Sequence, residues 1–127
     1  MTLYHYTCDH GRKALGESGT LTGLAVHSPN TVAKLRPLMP DYWPHVVWAT
    51  DLDTPIPAVL GLTSSMLQCD RTRYRYRVTD ETALRRWIGS PERRRTRLDL
   101  LDDLERYGLP AHWWVATDPV PVELDPA

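Results

Sequence analysis

From Arg71 to Val78 the chain alternates without a break. Arg71, Arg73, Arg75 and Arg77 take one parity, and Thr72, Tyr74, Tyr76 and Val78 take the other. A period of two separates the sets onto opposite faces of an extended strand. One face therefore carries aromatic and β-branched side chains that can pack. The other carries four guanidinium groups and faces either solvent or a ligand. Solvation is the simpler use of such a row. The sharper use is bidentate grip on phosphate oxygens.

Other segments repeat the strand signal more briefly. In Leu3-Tyr4-His5-Tyr6-Thr7 the histidine points away from both tyrosines, which predicts a strand over 2–7. Val46-Val47-Trp48-Ala49-Thr50 predicts a second, over 45–50, and residues 112–117 and 119–124 predict two more, broken at Asp118-Pro119. Asp9 is placed to cap a helix over 11–17, with Gly19 as its stop. Residues 20–44, rich in proline, predict a long loop with a helical turn around 31–35. Thr54 is placed to cap a short helix starting at Pro55 and ending at Gly61. Asp80 or Thr79 is placed to cap another through Trp87. Ser90-Pro91-Glu92 reads as a helix start, followed by Leu100, Leu101, Leu104 and Tyr107 at helical spacing and stopped by Gly108 and Pro110. About six short strands and three or four helices without βαβ regularity predict an α+β fold. A length of 127 residues suits one domain over 1–127.

The net charge of −1 offers no global field toward nucleic acid or membrane. Charge is nevertheless uneven, because a second basic run, Arg93-Arg94-Arg95, follows the alternating arginines and precedes Asp99, Asp102 and Asp103. At the start of a helix these cations oppose the macrodipole, so they read either as a tolerated decoration or as a patch for an anionic acceptor. No apolar run approaches the ~20 residues of a membrane span. Residues 1–15 hold Asp, His, Arg and Lys rather than a leader-like apolar stretch. A cytoplasmic setting follows as the expectation, with Cys8 and Cys69 as free thiols. His5, Cys8 and His10 lack a second ligand pair, so no metal site is expected. There is no Gly-rich phosphate loop and no nucleophile elbow.

His5 on the first strand, a short helix running to Glu17-Ser18-Gly19, and a strand ending in Trp48-Ala49-Thr50 form an order that resembles the ADP-ribosyltransferase superfamily, whose members cleave NAD. The resemblance implies two antiparallel sheets packed as a split half-barrel, with flanking short helices and a central cleft. It implies that NAD is the substrate and that His5, Tyr6 and Thr7 hold it, His5 through a ribose hydroxyl. Trp48 would stack on nicotinamide in the place of a more usual tyrosine. Arg12 or Arg71 would hold the pyrophosphate.

The third signature position of that superfamily is normally an acid at the start of a late strand. Here that start reads Ala111-His112-Trp113-Trp114-Val115. Either His112 takes the role, or Glu123 folds back to it, or the chain binds without turnover. An RNA 2′-phosphotransferase branch of the superfamily works without the glutamate. The implied activity is transfer of ADP-ribose to a nucleic-acid or protein acceptor with release of nicotinamide, in the manner of a small toxin-like modifier. Arg73, Arg75, Arg93, Arg94 and Arg95 are the candidate contacts to a nucleic acid. The reading of another class is a module that binds a nucleotide, nucleic acid or protein on the same fold without catalysis.

Overall fold

A computed structural model describes residues 1–22, 46–54, 72–96, 98–106 and 108–125. The expected turn at 31–35, the helix from Pro55 to Gly61, Cys69 and Arg71 lie outside the described residues. The chain is a small α+β protein built on one antiparallel sheet with a few short helices. Among the described residues, seven strands run in the order β2-β7-β4-β1-β3-β6-β5. They are β1 (Tyr4–Thr7), β2 (Ser18–Leu21), β3 (Val47–Thr50), β4 (Tyr74–Val78), β5 (Arg85–Arg86), β6 (Trp113–Ala116) and β7 (Val120–Leu124). The helices are α1 (Asp9–Leu15), α2 (Pro91–Arg95) and α3 (Leu98–Glu105), with a 3-10 turn over Pro110–His112. No helix among them is long and apolar enough to cross a membrane.

The register assigns the faces. His5 lies opposite Tyr76, while Tyr4 and Tyr6 lie opposite Arg77 and Arg75. Directly opposed residues share a face. One face therefore buries Tyr76 and Val78 with Leu3, Val47, Val120 and Val122 in a single apolar cluster that Leu15 of α1 completes. The other face divides in two. Over β1, β4 and β7 it carries Tyr4, Tyr6, Arg75, Arg77 and Glu123. Over β3 and β6 it buries Val115, Trp113 and Trp48 together with Trp87, packed against Leu101 of α3.

Close approach and backbone form decide α1. A Cβ on Gly11 would stand 1.9 Å from Thr7 Oγ1, so the helix reaches the strand only because residue 11 has no side chain. Gly16, not Gly19, ends the helix, with φ +67° and its N–H donating to Arg12 O at 2.9 Å. Gly19 instead lies within β2, opposite Val122.

Two further expectations are corrected. The segment 80–87 is not a helix. Asp80 Oδ1 accepts from the backbone N–H and hydroxyl of Thr82, at 3.0 and 2.6 Å, which closes a local turn that competes with helix. Arg85 and Arg86 then pair with Val115 and Trp114 at the edge of β6. The helical run after Ser90 is likewise two pieces. Ser90 Oγ accepts from Arg93 N at 3.1 Å and Pro91 occupies the first turn, as the sequence predicts. The chain is then extended at Thr96, whose hydroxyl turns back to Glu92 O at 2.8 Å. Arg93, Arg94 and Arg95 consequently fall in the last turn of a short helix, where the dipole favours cations rather than opposing them.

Candidate functional site

The neighbours β1 and β3 meet at a seam. Four positions of β1 are in register with β4, but only Tyr4 is in register with β3, opposite Thr50. Beyond that pair the two strands part. A strand edge left without a partner exposes backbone groups that need satisfying. Here His5 reaches across the gap, and its Nδ1 lies 2.6 Å from the carbonyl oxygen of Trp48. A carbonyl only accepts, so Nδ1 carries a proton. His5 is only 7% exposed.

Trp48 stands next to this bridge. Its ring centroid is 4.7 Å from that of Trp87 and 6.0 Å from that of Trp113, the latter edge-on. Trp48 is half-buried, so one part of its ring belongs to this aromatic cluster. Thr7 is buried against Gly11, and its Oγ1 has no hydrogen-bond partner among the described residues. Arg12, in the last turn of α1, lies 6.0 Å from the centroid of the Tyr74 ring.

On the far side of the seam the chain after β3 turns back over the sheet. The Tyr6 hydroxyl donates to Leu52 O at 2.9 Å, and Arg75 donates to Asp53 O at 3.3 Å. Arg75 lies 4.7 Å from the Tyr4 ring centroid and pairs with Asp125 at 3.0 Å, both partners being largely buried. Burial pushes the Tyr6 hydroxyl above its ordinary value, with the Arg75 guanidinium pulling the other way. Burial pulls Arg75 down, but Tyr6 and the Asp125 charge outweigh it and leave it raised.

The segment is also tied to β6. Thr50 Oγ1 donates to His112 O at 2.7 Å, Asp51 N donates to the same oxygen at 3.3 Å, and Leu52 N donates to Thr50 Oγ1 at 3.1 Å. His112 Nδ1 lies 2.6 Å from Asp51 Oδ1. The Asp51 side chain is 16% exposed and that of His112 is 44% exposed. A mostly buried carboxylate thus holds one edge of a half-exposed imidazole.

Glu123 lies elsewhere. It is ion-paired with Arg77 on β7 and β4, and β4, β1 and β3 separate its strand from β6. The other arginines are also engaged. Arg73 pairs with Asp9 at 3.0 Å, Arg94 donates to Gly89 O at 2.9 Å, and Arg93 binds both oxygens of Glu105, which also accepts from the Trp87 indole. Asp51 belongs to no motif in the sequence. Its signal was its place directly after one strand while His112 stands directly before another.

No model of a protein family, no curated protein and no solved structure matches this chain.

Proposed function

We propose that this chain is an ADP-ribosyltransferase-like enzyme that cleaves the nicotinamide–ribose bond of NAD and passes ADP-ribose to a nucleic-acid or protein acceptor. The observation that carries the reading is the contact between His5 Nδ1 and the Trp48 carbonyl at a parted strand seam. The two segments whose order resembles the superfamily meet there, 43 residues apart in the chain. The parting of β1 from β3 supports the finer fold reading, two half-sheets with a cleft between them. In this reading His5, Tyr6 and Thr7 with Arg12 and Arg71 hold NAD, Trp48 faces nicotinamide, and His112 replaces the missing acid.

A binding module without turnover is the second reading. It is favoured by the burial of His5 and by the packing of Trp48 against Trp87 and Trp113, which a core would require in any case.

Nicotinamide release from NAD separates the two. Purified protein is assayed alone and with RNA, DNA and mixed cell protein. His5→Asn, whose amide nitrogen can stand where Nδ1 does and donate to the Trp48 carbonyl, is the control, checked for an unchanged circular dichroism spectrum. Release that depends on one acceptor and disappears in the control is the result expected. No release with any acceptor, together with no rise in melting temperature on adding NAD, leaves the binding module.

A further inference from the structure

We infer that Asp51 and His112 form an acid–base pair, in which His112 Nε2 takes the proton of the acceptor and Asp51 is the positioning residue. The inference rests on the NAD-cleaving reading and adds the step that reading leaves open.

An ionised carboxylate only accepts hydrogen bonds, so the 2.6 Å contact puts the proton on His112 Nδ1. In the uncharged form of a ring so held, the lone pair is on Nε2, at the edge turned away from Asp51. The ring is half-exposed, whereas the carboxylate behind it is largely covered. The backbone is held as firmly as the ring. His112 O accepts from both the Thr50 hydroxyl and the Asp51 N–H. A base fixed in tautomer and in position, on a half-exposed ring, is what proton abstraction needs. Thr50, whose hydroxyl holds the His112 carbonyl, lies opposite Tyr4 on the face that carries Trp48.

The step balances. The acceptor's nucleophilic atom, an oxygen or nitrogen bearing hydrogen, forms a bond to C1 of the nicotinamide ribose. The bond from that carbon to the nicotinamide nitrogen breaks, and its electron pair neutralises the pyridinium, which leaves as nicotinamide. The acceptor's proton passes to His112 Nε2. The resulting imidazolium faces the Asp51 carboxylate and later gives its proton to water.

Two measurements test this. Nitrogen–proton correlation spectra of the neutral protein report which nitrogen of His112 bears hydrogen. The Nδ1–H tautomer is expected in the wild type and should be lost in Asp51→Ala. Acceptor-dependent nicotinamide release supplies the second readout. Asp51→Ala should lower kcat by about 10- to 100-fold with KM for NAD held within about twofold. His112→Gln should lower kcat by ~10²- to 10⁴-fold, and Asp51→Glu should restore part of the loss. Melting curves confirm that each variant is folded, and Asp51→Asn replaces Asp51→Ala if the latter is not. An Nε2–H tautomer in the wild type overturns the pair. Wild-type release that Asp51→Ala leaves unchanged overturns the pair and keeps the NAD reading. No release from the wild type with any acceptor overturns both.

Discussion

The sheet's second face treats its two halves differently. Over β3 and β6 the side chains are apolar and aromatic, and α3 covers them. Over β1, β4 and β7 the same face carries Tyr4, Tyr6, Arg75, Arg77 and Glu123, tied by ion pairs and by hydroxyl-to-carbonyl bonds. The first half draws its stability from burial, which is non-directional and sizeable. The second draws on directional contacts that are each small in net effect. The seam between the halves holds Trp48, Asp51 and Tyr4, with His5 reaching the Trp48 carbonyl from the first face, and so dry walls stand beside polar groups that are already aimed. A binding site needs that combination, and neither half has it alone.

Removing aromatic mass should break the contrast most sharply. Trp87 is fully buried between Trp48 and α3, so Trp87→Ala should destabilise by about 3–5 kcal/mol, read from urea unfolding. Trp48→Ala removes a half-exposed ring and should destabilise by less, about 2–3 kcal/mol, on the same assay. A loss for Trp48 equal to that for Trp87 would make Trp48 core only and weaken the proposal that it faces nicotinamide. Gly11→Ala pushes a methyl into Thr7 Oγ1, and the overpacking should destabilise by about 1–3 kcal/mol.

Two tyrosines, Tyr6 in the polar half and Tyr76 on the first face, should answer to pH. Tyr6 and Tyr76 both have hydroxyls raised above 10.0, in each case chiefly by burial. The folded state therefore holds these protons more tightly than the unfolded chain does. Their contribution is complete below about pH 10 and is lost as pH rises through the folded values. Melting temperature should fall on going above about pH 10, and Tyr6→Phe should reduce that slope while removing the bond to Leu52 O, at a cost of about 1 kcal/mol near neutral pH. The smallest effect belongs to Arg77 and Glu123, both about half-exposed. A double-mutant cycle on that pair should return no more than about 0.5–1 kcal/mol, and less in high salt.

Local signals in the sequence were faithful where a single interaction decides the outcome. Tyr74–Val78 is a strand because its period is two, and Ser90 caps α2 because an extended residue with a short hydroxyl precedes proline. They misled where two local solutions compete. Asp80 serves a cap or a turn equally well, and the turn prevails because β6 offers Arg85 and Arg86 an edge to pair with. Gly16 and Gly19 are both plausible helix stops. Gly16 adopts the positive φ, while Gly19 joins β2 opposite Val122.

Periodicity and capping act within a few residues, and so the chain's own order was enough to mark its main strands, the start of α2 and the two-sided character of the arginine strand. Which strands become neighbours is a matter of pairing between distant segments. His5 meets the Trp48 carbonyl, Asp51 meets His112 61 residues away, and Glu123 is kept from β6 by three intervening strands. Those relations depend on sheet order and on where β1 and β3 part. Both are settled by burying two faces at once, which no local window of the sequence contains.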